Sequence, residues 1–271
     1  KYLPTIIGDP SNSPVLVNHA YRYNNPLGEI SIGLRPKDGG GYEVVSQAGR
    51  YIAVASTTAE DPTINTLIQP YVDLLAAYND TEIGQTTMPI DALQAYTQET
   101  NGANLQADAA VWELEDLNGI PVDFHLSGAM SNRKVADAAT PEAPVMLKVA
   151  DMFTLMPYEN SLVVMEMNGP QIKRVLERAY RNYYYYKYVP GYGGYSYYTT
   201  CMIDINAGGK ITYRDTAGAA YDPNQEYVLS LEFDGHTVDF SDAATYYRVS
   251  TVNYLAAGSC NFNNAGVSLW P

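Results

Sequence analysis

Several residue types and patterns are scarce in this sequence of 271 residues. Two cysteines, Cys201 and Cys260, are too few for a disulfide scaffold, but they allow one bridge in an oxidising compartment or two buried thiols in a reducing one. No stretch approaches eighteen consecutive apolar residues, so we expect no membrane span. The opening KYLPTIIGDP has neither the basic nor the apolar region of a signal peptide, although a processed chain would look the same.

Positive charge is scarce as well. Lysine and arginine total 16 against 30 aspartate and glutamate residues, which gives a formal net charge of −14. This charge would repel a nucleic acid backbone, so we expect no nucleic acid partner. The one dense basic run falls on a predicted helix, and we interpret it as a solvated helix face. It consists of Lys173, Arg174, Arg178 and Arg181.

The order of helix and strand patterns predicts an α+β fold with mixed sheets. Short apolar runs separated by glycine, proline and asparagine turns indicate strands in the first 56 residues and again in the final third. Helical periodicity lies between them without strict alternation with strands. The main predicted elements are a helix capped by Asp61, a helix from about Asp91 to Leu114, a strand at Val122–Gly128, and a helix ending at Asn182 with Ile172, Val175, Leu176 and Ala179 on one face.

Tyrosine is abundant, and much of it lies in one segment, Asn182–Tyr198, together with glycine and proline. Tyrosine has an apolar ring and a polar tip, so such a segment suits an adaptable loop. Two interpretations stay open: Tyr183–Tyr198 binds a protein partner, or the loop folds back on its own domain. Binding of single-stranded nucleic acid would require basic residues, and Lys187 alone is insufficient.

Four segments in order resemble the C-terminal domain of the 5'-nucleotidase family. In chain order the segments are QETNGANLQADAA (98–110), FHLSGAMSNR (124–133), MLKVADMFTLMPYENSLVVMEMNGPQIKRVLERAY (146–180) and YYRVSTVNYLAAGSCNF (246–262). The family patterns that they match are, in the same order, R-E-x-x-x-G-N-L-x-x-D-A, N-G-G-G-I-R, l-P-F-x-N and N-F-L-x-x-G-G-D-G-F. In the first segment, Glu99, Asn104, Leu105 and Asp108 match the pattern.

The resemblance extends to the beginning of the chain and implies its domain organisation. Lys1–Ile32 is similar to the last strands of the family's metallophosphoesterase domain, an α/β sandwich, and the helix after Asp61 is similar to the helix that joins the two domains. We therefore expect a β-rich remnant of the metallophosphoesterase domain at 1–60, a linking helix at 61–80 and the substrate-binding C-terminal domain at 81–271.

The resemblance also implies a nucleoside site. In this family two aromatic rings sandwich the base, and the matching positions are Tyr158 and Tyr254; alternatively, both are core aromatics at strand ends. The asparagine of N-G-G-G-I-R falls at Ser127, and its arginine falls at Asn132, or at Arg133 with a slip of one residue. These five residues are the candidate nucleoside contacts.

Several polar positions of the family pattern have changed. The two arginines before and within R-E fall at Tyr96 and Gln98, and the aspartate of G-G-D-G falls at Cys260. Because charged donors recognise phosphate, the loss of these arginines predicts weaker nucleotide binding than in a standard family member. The turn at Cys260 and the strand after Cys201 both border the family's pocket, and this placement implies a disulfide bond between them.

The family's two catalytic metal ions are held by its N-terminal domain, whose ligand motifs precede the part represented here. The three histidines, His19, His125 and His236, match none of those ligands, and we interpret them as ordinary surface or core residues. We therefore expect no catalytic or metal-binding residue in this chain and no hydrolysis by the chain alone. Divalent metals are expected only in the missing N-terminal half.

Two functions agree with these features. The chain is either the nucleoside-recognition part of a nucleotide phosphohydrolase, a 5'-nucleotidase or cyclic-nucleotide phosphodiesterase, or a catalytically degenerate binding or assembly protein on a cell surface. In both cases the family resemblance implies an extracellular, periplasmic or cell-surface location. The exposed sheet of the remnant also implies a covering partner, either the N-terminal metallophosphoesterase portion or another polypeptide.

Overall fold

A computed structural model describes residues 5–8, 14–20, 26–187, 202–214, 222 and 224–271, with the backbone alone for 184–187. The chain divides into two compact units, Lys1–Asp73 and Leu74–Pro271. Both contain strands and helices in mixed arrangement, so the predicted α+β class is confirmed. Among the described residues, no helix combines the length and the apolar character needed to cross a bilayer.

The first unit consists of two antiparallel strand pairs followed by most of a long helix. Strands β1 (Thr5–Gly8) and β2 (Pro14–Val17) pair with each other, and β3 (Leu27–Pro36) pairs with β4 (Tyr42–Ile52). Three glycines at 39–41 adopt positive φ in the turn between β3 and β4, a conformation that side chains disfavour. No described residue before Ile90 is buried.

Helix α1 (Pro62–Asn79) begins where the sequence predicts it. Oδ1 of Asp61 accepts hydrogen bonds from the backbone N–H groups of Thr63 and Ile64, at 2.8 and 3.1 Å, which caps the first turn. None of its residues is buried, and Leu67 and Tyr71 are 67% and 73% exposed. The apolar stripe that predicted this helix is therefore largely exposed.

The second unit is built on a four-stranded mixed sheet. In chain order its elements are β5 (Glu82–Thr86), β6 (Ile90–Asp91), α2 (Asn101–Trp112), a π-helical turn (Glu113–Leu117), β7 (Phe124–Ser127), β8 (Lys134–Val135), β9 (Val145–Lys148), α3 (Val149–Leu155), β10 (Leu162–Asn168), α4 (Gly169–Lys187), β11 (Asp204–Ile205), β12 (Gly209–Tyr213), β13 (Val228–Phe233), β14 (His236–Thr237), β15 (Tyr246–Val252), α5 (Asn253–Ala256), β16 (Asn263–Asn264) and β17 (Val267–Ser268). The sheet order is β10-β15-β7-β11, with β15 parallel to β7 and the other neighbours antiparallel.

Helix α4 covers the core of the second unit. The face predicted from its periodicity, Ile172, Val175, Leu176 and Ala179, is fully buried, so this prediction is confirmed. The helix begins at Gly169, where an added Cβ would lie 1.9 Å from the carbonyl oxygen of Asp239. Only glycine allows this approach, which gives a physical reason for the glycine of the family pattern at this position.

The basic run on α4 is solvated only in part: Arg174 and Arg181 are exposed, whereas Lys173 and Arg178 are half-buried. Arg174 donates a hydrogen bond to the carbonyl oxygen of Leu269 at 2.6 Å. Arg178 donates to the carbonyl oxygens of Asn261 and Asn263 at 2.6 and 2.8 Å. These arginines therefore hold the C-terminal segment against the helix.

Two other predictions differ from the structure. Helix α2 begins at Asn101 and not near Asp91, because Asp91 pairs with Lys134 in the β6–β8 ladder and Thr100 caps the helix.

Helix α4 continues to Lys187, so the tyrosine-rich segment begins as helix rather than loop. Tyr183 packs against the buried Tyr180 and Tyr227 of its own unit, and residues 188–198 lie outside the described residues.

Candidate functional site

The two candidate base-stacking tyrosines lie at the same end of the β10–β15 ladder. Tyr158 precedes β10, Tyr254 follows β15 within α5, and the ladder ends at the pair Leu162–Val252. Two hydrogen bonds join the flanking residues: Asn253 N–H donates to the Ser161 carbonyl at 2.9 Å, and Ser161 N–H donates to Oδ1 of Asn253 at 3.1 Å. The strand register thus holds both tyrosine-bearing segments together.

Neither tyrosine belongs to the core. Tyr158 is 58% exposed and Tyr254 is 54% exposed, although the strands beside them are largely buried. Two large exposed aromatic side chains at the same end of a strand pair favour a ligand site, whereas single exposed rings need no explanation. The base-stacking role of this tyrosine pair stays a prediction.

Tyr96 and Arg133 lie near Tyr158. Burial raises the pKa of the half-buried Tyr96 hydroxyl, nearby Tyr158 raises that pKa further, and the Arg133 guanidinium lowers it. These three side chains therefore share one electrostatic neighbourhood. Arg133 is exposed, and its backbone carbonyl accepts a hydrogen bond from Ala92 at 2.9 Å, which fixes the start of β8. Asn132 is also exposed and precedes Arg133 in the same loop.

Tyr96 is a candidate site residue, whereas the sequence alone indicated only that a family arginine is missing at this position. It occupies the position of a family arginine, and that alignment was the signal that could have placed it in the site. A tyrosine hydroxyl donates and accepts hydrogen bonds but carries no positive charge. Arg133 supplies the cation in this neighbourhood.

Ser127 is placed differently from the other candidates. It is 3% exposed, and Nε2 of Gln106 donates to its Oγ and to the carbonyl oxygen of Gly128, both at 3.2 Å. Oε1 of Gln106 accepts the N–H of Met130 at 3.2 Å. Gln106 and Ser127 therefore stabilise the loop after β7, and the loop carries Asn132 and Arg133 to the surface.

The residues of the first family-like segment perform structural roles. Oδ1 of Asn101 accepts the N–H of Asp91 at 2.7 Å, and its Nδ2 donates to the Pro89 carbonyl at 2.9 Å. Asp108 accepts the N–H of Ala207 at 2.7 Å. These contacts fasten α2 to the strands on either side of it, so this motif defines the fold of the site's surroundings.

The turn that replaces G-G-D-G keeps the backbone shape that glycine favours. Cys260 and Asn261 have φ angles of 56° and 62°, in the left-handed region that asparagine tolerates better than most residues. Nδ2 of Asn182 donates to the Cys260 carbonyl at 2.8 Å, which ties this turn to α4. Cys201 lies outside the described residues, so its pairing with Cys260 stays a prediction.

The histidines do not form a metal site in the described part of the chain. His125 is 1% exposed, its Nδ1 lies 2.8 Å from Oγ of Ser250, and burial lowers its pKa to about 4. His236 is exposed in β14, and His19 belongs to the other unit. No group of three or more histidine, cysteine, aspartate or glutamate side chains suited to a metal occurs among the described residues. These residues therefore do not fit a two-metal centre.

The motifs and the fold define one family. The family model described as "5'-nucleotidase, C-terminal domain" matches residues 82–266, more than half of the chain. The chain therefore belongs to the 5'-nucleotidase C-terminal domain family.

Individual relatives extend over most of the chain. It is 21% identical over 255 residues to the trifunctional nucleotide phosphoesterase protein YfkN of Bacillus subtilis, covering 93% of this chain and 16% of that protein. Two crystal structures share the fold. A 5'-nucleotidase precursor from Thermus thermophilus has a TM-score of 0.51 and 18% identity, over 98% of this chain and 49% of its own. A putative 5'-nucleotidase from Staphylococcus aureus, in complex with alpha-ketoglutarate, has a TM-score of 0.52 and 20% identity, over 85% of this chain and 42% of its own. The chain thus spans about half or less of the length of these relatives.

Proposed function

We propose that this chain supplies the nucleoside-recognition part of a nucleotide phosphoesterase and that Tyr158 and Tyr254 contact the base. The observation that carries the proposal is the pair of exposed rings held at one end of the β10–β15 ladder. Stacking on an aromatic ring contributes about 1–3 kcal/mol per base and needs only the π-face of the ring. Tyrosine therefore serves as well as the phenylalanine that the family pattern has at these positions.

The polar groups near the tyrosine pair favour recognition of the nucleoside over its phosphate. Arg133 is the cation of this neighbourhood, and Tyr96 offers a hydroxyl where the family pattern has an arginine. Phosphate binding in proteins relies on charged, often bidentate, donors. One exposed arginine gives less phosphate affinity than several, so we expect adenosine and AMP to bind with similar affinity.

Hydrolysis is assigned to a portion of the protein outside this sequence. The described residues do not fit a two-metal centre, and the relatives are about twice as long as this chain or longer. We propose that an N-terminal metallophosphoesterase portion holds the divalent metals, which supply activation of water for attack on phosphate. The same portion, or another polypeptide, would cover the exposed apolar residues of the first unit and α1.

The proposed location is outside the cytoplasm, in the periplasm, at the cell surface or in the medium. The Thermus thermophilus relative is named a precursor, and precursor processing accompanies export. An oxidising compartment would also permit the predicted bond between Cys201 and Cys260.

A second candidate function is binding or assembly at a cell surface without catalysis. The observations that favour it are the changed positions Tyr96 and Gln98 and the exposed apolar side chains of the first unit, Ile32, Val44 and Leu67 among them. In this case the tyrosine pair would contact a protein partner, and adenosine would not bind.

Calorimetric titration of the chain with adenosine tests the proposal. Tyr158→Ala and Tyr254→Ala should each weaken binding by roughly tenfold or more, because each removes one stacking face. Tyr246→Ala is the matched control: Tyr246 is 55% exposed, close to the 54% of Tyr254, and lies at the opposite end of β15. Absence of adenosine binding, or equal losses in all three variants, would contradict nucleoside recognition and favour the assembly function.

A further inference from the structure

A cavity of about 530 Å³ lies in the second unit, between α2 with its π-helical turn and the ends of β10 and β15. Its apolar walls come from Trp112, Met130, Met156, Tyr158, Leu162 and Val252. We name it the His125 cavity, because His125 also lines it. Its volume lies within the range of about 300–1,000 Å³ that small-molecule sites occupy. Tyr254 and Arg133 do not line it.

His125 gives this apolar cavity a defined polar group. The side chain is 1% exposed, and Nδ1 contacts Oγ of Ser250 at 2.8 Å, which fixes the ring orientation. Nε2 is then the ring nitrogen that remains for a ligand. Because burial lowers the pKa of His125 to about 4, the imidazole is neutral at pH 7.

Two of the other three amide side chains of the lining, those of Gln106 and Asn118, are engaged within the protein, whereas Asn160 has only a long contact from its Nδ2 to Sδ of Met130 at 3.8 Å. Gln106 bonds Ser127, Gly128 and Met130 as described above. Nδ2 of Asn118 donates to the backbone carbonyl of Glu113 at 2.6 Å and to its carboxylate at 3.1 Å. Polar recognition in this cavity therefore depends mainly on His125 and Asn160.

The charge and shape of the lining select the class of ligand. Among the described residues that line the cavity, Glu113 is a carboxylate and none is a lysine or arginine, so an anion such as a nucleoside phosphate is disfavoured. Trp112 is 53% exposed at the cavity, an arrangement that offers a ring for stacking. The π-helical turn Glu113–Leu117 follows Trp112 directly, and such turns occur frequently at functional sites.

We propose that the His125 cavity is a second small-molecule site, which binds a neutral aromatic or heteroaromatic ring against Trp112 and hydrogen-bonds it through Nε2 of His125. The cavity shares Tyr158 with the proposed nucleoside site, but it uses neither Tyr254 nor Arg133. The inference rests on His125 and Trp112 and does not require adenosine to bind between the two tyrosines.

Titration of the chain with benzimidazole, followed by tryptophan emission, tests this inference. The chain has two tryptophans: Trp112 lines the cavity, and Trp270 is 3% exposed in the core. Benzimidazole should change the emission saturably, and Trp112→Phe should remove that change. Cyclohexanol, which is apolar but not aromatic, should compete poorly.

Three variants locate the binding. His125→Phe should weaken benzimidazole binding by about tenfold through loss of one hydrogen bond. Ala109→Phe should abolish it, because Ala109 is exposed on α2 and lines the cavity, so the added ring blocks the cavity without disturbing the core. Tyr254→Ala should leave benzimidazole affinity within about twofold while it weakens adenosine binding by roughly tenfold or more.

The proposal is overturned by any of four results: no saturable change in emission, full binding to Ala109→Phe, loss of benzimidazole binding in Tyr254→Ala, or equal competition by cyclohexanol. Failure of adenosine binding alone would affect the proposed nucleoside site and leave this one standing.

Discussion

The two units of the chain carry similar apolar patterns and bury them very differently. In Lys1–Asp73, strands β3 and β4 and helix α1 show alternation and helical periodicity, yet Ile32, Val44 and Leu67 are 57%, 60% and 67% exposed. In Leu74–Pro271, Leu176 and Val249 are fully buried. Periodicity therefore predicts which element forms, whereas burial requires a second surface that local sequence does not specify.

The largest expected difference between the units is in the free energy of unfolding. Leu176→Ala in the core should destabilise the second unit by about 2–5 kcal/mol, since it leaves a cavity. Leu67→Ala on exposed α1 should change stability by less than about 0.5 kcal/mol. Denaturant titration followed by circular dichroism, which reports the helices and strands of both units, measures both effects. Equal losses would mean that α1 packs against a surface in the isolated chain.

The predicted bond between Cys201 and Cys260 would strengthen the second unit alone. A closed loop of 260 − 201 = 59 residues contributes about 4 kcal/mol at most in the chain-entropy model. Alkylation of the unreduced, denatured protein followed by mass spectrometry should show no labelled cysteine. Two labelled cysteines would contradict the bond and remove one support of the proposed location.

The pH dependence of stability should also differ between the two units, because the buried His125 lies in the second unit. The pKa of His125 is lowered by burial from 6.5 to about 4 in the folded chain. Below pH 6.5 the unfolded chain binds a proton that the folded chain does not, so stability falls with pH down to about pH 4, where the loss levels off. The difference between the two pKa values corresponds to about 3 kcal/mol.

His125→Gln isolates this contribution from the carboxylates, because it removes the titrating ring and keeps a polar side chain. Denaturant titrations of the unchanged chain and of the variant between pH 4 and pH 7 measure the free energy of unfolding. As the pH falls, this free energy should decrease more steeply for the unchanged chain than for His125→Gln. Parallel pH profiles would show that His125 is not buried in its neutral form.

The features that the sequence predicted well are local. Asp61 and Pro62 defined the start of α1, and the spacing of Ile172, Val175, Leu176 and Ala179 defined the buried face of α4. The predicted start of α2 was wrong because Asp91 pairs with Lys134, a partner 43 residues away that helical periodicity does not reveal.

The candidate site was predictable only in part for the same reason. Alignment with family motifs indicated Tyr158, Tyr254 and Arg133, but the proximity of Tyr96 depends on the loops after β6 and before β8. The His125 cavity was not predictable, because its walls come from α2, β7, β10 and β15 together. Contacts of this range are set by tertiary packing rather than by periodicity.

A crystal structure of the chain with adenosine tests the central claim most directly. The account predicts the adenine ring between the rings of Tyr158 and Tyr254, with the ribose toward Tyr96 and Arg133 and no ligand contact from Ser127. Adenosine in the His125 cavity, or a tyrosine pair that holds no base at saturating adenosine, would contradict the nucleoside-recognition function.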